Sequence, residues 1–370
     1  MRMRVLVLLL CLALVAACGG SGAASTTSTA AEGGATTTSS ADTTTSAGTE
    51  ETTTTEATTT TVAEEMSLAL VQGETGGMSF SRLPAAATRD RLNEAGWEIE
   101  TVNFSAVDLT VEAVSSGTVD IGRFQVLDAL RAIQAGGNLK IIAADRPDEF
   151  VVITPIDVTD CADTADDRVA THSESSTYTF LHYYWMETIC GLDLSATERL
   201  IIAGGENRII ALMNDQIDST NVQMADFINL EAQAPGEFHI LANFSQEIPG
   251  LVGGVIAANT DWLAANRAMA VDYLAEALRD LHDANVDGTA IRAAAEEYQS
   301  EADAAAFDTV RQVYLDDLGG FPECGIFDAE VGQTLIGLFE GLDMIDAGLT
   351  ADTVFDLSVL DDARAAVDHC

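Results

Sequence analysis

Three observations make this chain an α/β protein. From residue 66 onward, apolar runs of strand length alternate with amphipathic segments of helix length. A helix, turn, strand, helix, strand pattern in the first half recurs about 100 residues later. The part that carries this rhythm, 66–370, is long enough to bury one large core or two smaller ones.

Taken in order, the chain begins with Arg2 and Arg4 followed by the apolar run Val5–Ala17. At 1.5 Å per residue that run is too short to cross a hydrocarbon core, so residues 1–17 read as a cleaved export signal. Its end, Val15-Ala16-Ala17-Cys18, resembles the lipobox of bacterial lipoproteins, which implies lipidation of Cys18 and a membrane anchor outside the cytoplasm. Residues 18–65 form a Thr-, Ser-, Ala- and Gly-rich segment with no aromatic residue, a composition that cannot bury a core. As a flexible tether it would span roughly 35–40 Å.

In the globular part, strands are expected at Ser67–Gln72, Trp97–Phe104, Val119–Gly122, Leu139–Ala144 and Phe150–Pro155. Helices are expected at Arg82–Ala95, Asp108–Ser116 and Val126–Ala135. The repeat joins Ala113–Gly122 to Ala211–Thr220. Asp120 is followed eight residues later by Asp128, and Asp218 eight residues later by Asp226. The strands Leu139–Ala143 and Phe238–Ala242 close the two copies. Two related units of this kind predict two similar lobes rather than one continuous sheet.

Composition excludes several roles. The formal charge is −42, with 17 basic against 59 acidic side chains, so nucleic acid is not an expected partner. The acid is dispersed, which suits a solvated, self-repelling surface. Once Cys11 leaves with the signal and Cys18 is lipidated, Cys161, Cys190, Cys324 and Cys370 remain, an even number suited to two disulfides in an exported protein. Of three possible connectivities, the favoured one joins nearest neighbours, Cys161–Cys190 and Cys324–Cys370. No G-x-S-x-G, H-E-x-x-H or Walker sequence is present. Lys140 is the single lysine, and the five histidines show no metal-ligand spacing, so neither an enzyme, a metal nor a cofactor is expected. Asp283-Ala-Asn285-Val-Asp287-Gly288 begins like a calcium loop, but Ala294 stands where a bidentate Glu is required. It reads instead as a helix connection capped by Thr289.

The lipobox, the linker and the sequence A-V-x-x-G-x-V-D-I-G … G-x-L-K-I-I-A, from Ala113 to Ala143, together resemble the type II periplasmic solute-binding lipoproteins of ABC importers. The similar subgroup is that of nitrate, sulfonate, taurine and thiamine-precursor binders. This resemblance implies a two-lobed periplasmic-binding-protein-like fold with hinge strands near Thr154–Val158 and Gly250–Val255. Lobe 1 would then comprise 66–156 and 251–370, including the C-terminal helices, and lobe 2 would comprise 157–250. The chain would act as a monomer, pass a small molecule to a separate permease and its ATPase, and need no cofactor.

Ligands of such α/β folds sit at the carboxyl ends of strands and at helix N-termini. The candidate residues after the first strands are Gln72, Glu74, Thr75, Gly76 and Phe104. Arg123, Phe124 and Gln125 follow the third strand, where Arg123 suits a carboxylate or sulfonate, or else pairs with one of the many acids. In the second half the candidates are Thr171, His172, Ser173 and Ser175, which would cap a helix or ligate an anion, and Asn221 and Gln223 from the repeat. Tyr178, Tyr183, Tyr184 and Trp185 read as packing residues. Arg123 and the hydroxyls suit a small anion such as sulfonate, nitrate or carboxylate. Met78, Phe80, Phe104 and Phe124 equally suit a flat pyrimidine-like heterocycle. The competing readings are an enzyme of precursor metabolism on the same fold and a surface sensor without transport.

Overall fold

Two five-stranded sheets are built from ten strands: β1 (Ala69–Thr75), β2 (Glu98–Phe104), β3 (Ile121–Phe124), β4 (Leu139–Arg146), β5 (Phe150–Pro155), β6 (Arg168–Thr171), β7 (Glu198–Ile201), β8 (Ser219–Gln223), β9 (Phe238–Asn243) and β10 (Gly254–Asn259). The computed structural model describes residues 68–370 apart from Gly76, Ser175 and Pro249. The expected signal peptide, Cys18 and the linker lie outside the described residues.

The strand orders are β2-β1-β3-β10-β4 and β7-β6-β8-β5-β9. In each sheet the first three strands are parallel, while β10 and β5 run antiparallel to both neighbours. The sheets have the same plan with one exchange. The strand after β4 joins the second sheet, and the strand after β9 returns to the first. The chain therefore crosses between lobes twice, at Pro147–Glu149 and at Phe244–Gly253.

This corrects the expected boundaries. Phe150–Pro155 belongs to the second lobe, so the first crossover precedes it rather than lying near Thr154–Val158, and lobe 2 does not begin at 157. The reason is that Val151, Val152 and Ile153, all fully buried, complete the core of the second sheet. Strand β3 is also displaced from its expected span Val119–Gly122, since Asp120, expected inside it, precedes it and accepts from Val71 N.

Local sequence explains most elements. Pro84 opens the helix Leu83–Glu94, where its missing N–H costs nothing. Gly117, at φ 74°, ends the helix Val107–Ser116 in the left-handed conformation that glycine adopts freely. Apolar residues on both faces of β4 and β10 match a sheet covered by helices on both sides. The expected calcium-loop look-alike is a capping arrangement. Asp287 accepts from Thr289 N at 2.8 Å and Asp283 from Ala290 N at 2.9 Å, so these acids, not Thr289, serve the helix Thr289–Tyr298.

The disulfides Cys161–Cys190 and Cys324–Cys370 are formed. Among the described residues no helix is long and apolar enough to cross a membrane.

Candidate functional site

The repeat aspartates set the geometry from which the site is built. Asp120 Oδ2 accepts from Val71 N at 2.7 Å and Asp218 Oδ2 from Arg168 N at 2.9 Å, tying the start of β3 to β1 and of β8 to β6. Three residues beyond each aspartate stand Arg123 and Asn221, and five beyond stand Gln125 and Gln223. Each of these glutamines is the N-cap of the helix that follows.

A cavity of about 730 Å³ lies between the lobes, at these strand ends and at both crossovers. From lobe 1 come Thr75, Met78, Ser79, Phe80, Ser81, Arg82, Arg123, Phe124, Gln125 and Tyr314. From lobe 2 come Phe150, Tyr178, Gln223, Ile228 and Asn229. The end of β4 supplies Arg146, and the crossovers supply Glu149 and Gly253. The volume lies within the range of organic-ligand sites.

Five of the expected ligand residues therefore reach the cavity: Thr75, Arg123, Phe124, Gln125 and Gln223. Gln72 and Glu74 do not line it. Gln72 Nε2 donates to Thr101 Oγ1 at 2.8 Å, and Tyr273 OH donates to Gln72 Oε1 at 3.2 Å, a network inside lobe 1. Phe104 packs over Gly73, where an added Cβ would meet its ring at 3.2 Å. Thr171, His172 and Ser173 are off the cavity wall. The helix Thr177–Tyr184 is capped from Ser176 without a side-chain bond, so the hydroxyl cap expected there does not form. Thr179 Oγ1 instead donates to the Ser173 carbonyl at 2.7 Å. Asn221 Nδ2 donates to the Tyr178 carbonyl at 2.7 Å, holding the aromatic wall rather than forming it. Gly76 and Ser175 lie outside the described residues.

The electrostatics separate the three cavity arginines. Arg123, only 8% exposed, donates to Asp145 Oδ2 at 3.3 Å and to Tyr273 OH at 2.9 Å. Burial alone would lower its pKa, but Tyr273 and Asp145 outweigh burial and raise it. Arg146 shares the same Asp145. Arg82 makes no side-chain hydrogen bond or ion pair among the described residues, and burial together with nearby Arg146 lowers its pKa. Arg82, not Arg123, is thus the guanidinium whose charge is least committed.

The first crossover is fastened to both lobes. Glu149 accepts from Ser81 Oγ at 3.2 Å and from Tyr314 OH, both in lobe 1. Asp148, buried, accepts from Phe150 N at 2.9 Å and from Tyr178 OH at 3.0 Å, on the lobe 2 side. Burial pushes the Asp148 carboxyl up to about 7 although both hydrogen bonds oppose the rise. Phe150 and Tyr178 stack with centroids 3.4 Å apart.

Sequence reasoning missed Arg82, Arg146, Glu149, Phe150, Tyr178 and Tyr314. Tyr178 stood in the aromatic group assigned to packing, and Phe150 opened a recognised strand. For Arg82, Arg146 and Tyr314 no local pattern pointed to a cleft.

No protein-family model matches the chain, and no curated protein matches it in sequence. Solved structures do match in fold. The periplasmic aliphatic sulphonate binding protein from Escherichia coli has a TM-score of 0.60 at 17% identity, covering 78% of this chain and 91% of that one. The periplasmic nitrate-binding protein from Synechocystis PCC 6803 has a TM-score of 0.58 at 10% identity, covering 82% and 90%. The desulfurization enzyme DSZB has a TM-score of 0.57 at 11% identity, covering 80% and 99%. The chain has the two-lobed type II fold of the substrate-binding components of ABC importers.

Proposed function

We propose that this protein is the extracytoplasmic, lipid-anchored capture component of an ABC importer. It closes its lobes on a small organic molecule and presents the closed form to a separate permease and its ATPase. The observation that carries the proposal is the cavity of about 730 Å³ whose wall is shared by both lobes and both crossovers. A ligand that touches both walls favours the closed arrangement by its differential affinity for it.

The wall chemistry favours an organic anion, a sulfonate or carboxylate with an apolar body. Arg82 would meet the charge while Phe80, Phe150 and Tyr178 flank the body. Arg123 serves that site indirectly, because Asp145 and Tyr273 already occupy its guanidinium. Nitrate would leave most of this volume unfilled.

The test is a thermal-shift screen of the purified chain against nitrate, taurine, longer alkanesulfonates, dicarboxylates and aminopyrimidines. The expected result is a saturable rise with one organic-anion class, since a ligand at 100 times its Kd stabilises the folded state by about 2.7 kcal/mol. That rise should vanish in Arg82→Ala. A flat response to the whole panel would overturn capture and favour a surface sensor. Recovery of a chemically altered ligand would favour the enzymatic reading that the desulfurization enzyme's fold exemplifies. The anchor is tested separately, because Cys18→Ala should release the protein from membranes.

A further inference from the structure

Away from the cavity, three potential metal ligands converge from three segments of the chain. His282 lies on the helix Arg267–Val286, Glu323 in the short turn Glu323–Gly325, and His369 beside the last cysteine. One ligand atom from each falls within 4.8 Å of the other two. None of the three lines the inter-lobe cavity. We propose that His282, Glu323 and His369 bind a divalent transition-metal ion of the zinc class.

The donor set is that of a zinc-type site, with two imidazole nitrogens and one carboxylate oxygen and room for a water as fourth ligand. An ion about 2.0–2.1 Å from each donor needs donors about 3.3 Å apart in a tetrahedral arrangement. His282 Nδ1 and Glu323 Oε2 already stand 3.3 Å apart. The imidazoles of His282 and His369 are stacked, with centroids 4.0 Å apart and planes at 14°. Sharing an ion requires the partly exposed His282 ring to turn out of this stack until both lone pairs converge.

Two features of the surroundings argue for a built site rather than a chance meeting. His369 Nε2 is buried and has no hydrogen-bond partner, so that ring nitrogen is left to accept a ligand bond. Asn285, one turn beyond His282, donates to Glu323 Oε1 at 2.9 Å and leaves the other carboxylate oxygen towards the histidines. The same Asn285 receives Phe321 N at 2.7 Å and donates to the Phe321 carbonyl at 3.0 Å, locking the turn. This is the outer-shell pattern in which a hydrogen bond orients a metal ligand.

The disulfide sets the spacing. Glu323 and His369 each immediately precede one of the bridged cysteines, Cys324 and Cys370, so the crosslink holds both donors against the helix that carries His282. Non-glycine residues on the turn, Cys324 at φ 50° and Ile326 at φ 55°, lie in the left-handed region, a conformation the surrounding contacts have to impose.

The experiment is a Zn²⁺ titration of the full, disulfide-intact chain by calorimetry, with excess Ca²⁺ present to occupy the acidic surface. A parallel Co²⁺ titration reads the visible ligand-field spectrum. The expected result is one Zn²⁺ per chain, with affinity reduced more than a hundredfold in His369→Ala and in Glu323→Gln and about tenfold in Asn285→Ala. His282→Gln, a change at a partly exposed position, guards against misfolding. With an unchanged circular-dichroism spectrum it should lose the Co²⁺ signal. Absence of binding by the native chain, or binding unchanged in His369→Ala and His282→Gln, would overturn the proposal. Neither result bears on the cavity ligand, which is read with different compounds and through Arg82.

Discussion

The two lobes share one strand plan yet solve the same position differently. Three residues past the repeat aspartate, lobe 1 places Arg123, a buried charge tied to Asp145 and Tyr273. Lobe 2 places Asn221, a neutral amide tied to a backbone carbonyl and held from below by Arg208, which donates to the Asn221 carbonyl. At the strand that crosses over, lobe 1 has Gly254, where a Cβ would fall 2.3 Å from Asp145 Oδ1. Lobe 2 has Phe150 at the corresponding register, stacked on Tyr178. At these matched positions lobe 1 is therefore ionic and closely packed by backbone, and lobe 2 is aromatic and amide-bearing. A repeated backbone plan does not impose repeated chemistry, because its hydrogen-bond register is indifferent to what the outward side chains carry.

The largest expected effect tests the ionic position. Arg123→Ala removes one of the two arginines that pair with buried Asp145 and the donor to Tyr273, and should cost up to about 3–5 kcal/mol in urea unfolding. Next come the crosslinks, which close sequence separations of 29 and 46 residues. Removing either by paired Cys→Ser substitution should cost about 2–4 kcal/mol, with the C-terminal one costing slightly more by loop entropy. Asn221→Ala, the lobe 2 counterpart of Arg123, should cost only about 1–3 kcal/mol, as a lost buried hydrogen bond does. Equal losses at 123 and 221 would break the contrast between the lobes.

The pH dependence sharpens it further. The folded-state pKa of Asp148 is raised to about 7, so its protonated form favours the folded state, and its contribution is complete below the unfolded value near 4. That contribution is lost as pH rises through about 7, so the urea midpoint should fall between pH 5 and 8, and less steeply in Asp148→Asn. Asp218 behaves oppositely. Hydrogen bonds from Arg168 lower its pKa, so its stabilisation is present above the unfolded value and lost on acidification. That pair is partly exposed, and solvent screening should hold Asp218→Asn to a few tenths of a kcal/mol at pH 7.

Several elements were legible because their causes are local. The strand Phe150–Pro155 was recognised at its observed limits from a continuous apolar run, although its lobe was misassigned. Asp120 and Asp218 were matched by spacing, and each closes the same turn. Gln125 and Gln223 reached the cavity because they follow those aspartates in register. Gln72 was misplaced because strand alternation alone does not say which face of β1 meets Tyr273, some 200 residues further along.

What the sequence by itself determined is the α/β alternation and the repeat, since periodicity is a property of neighbouring residues, while among three connectivities of the four cysteines it only favoured the nearest-neighbour pairing that the structure shows. Only the tertiary structure decided that β5 and β10 change lobes, that Arg82 stands uncommitted while Arg123 is paired, and that His282 meets His369. These meetings depend on which buried faces close on one another across long stretches of chain, and no local pattern encodes that choice.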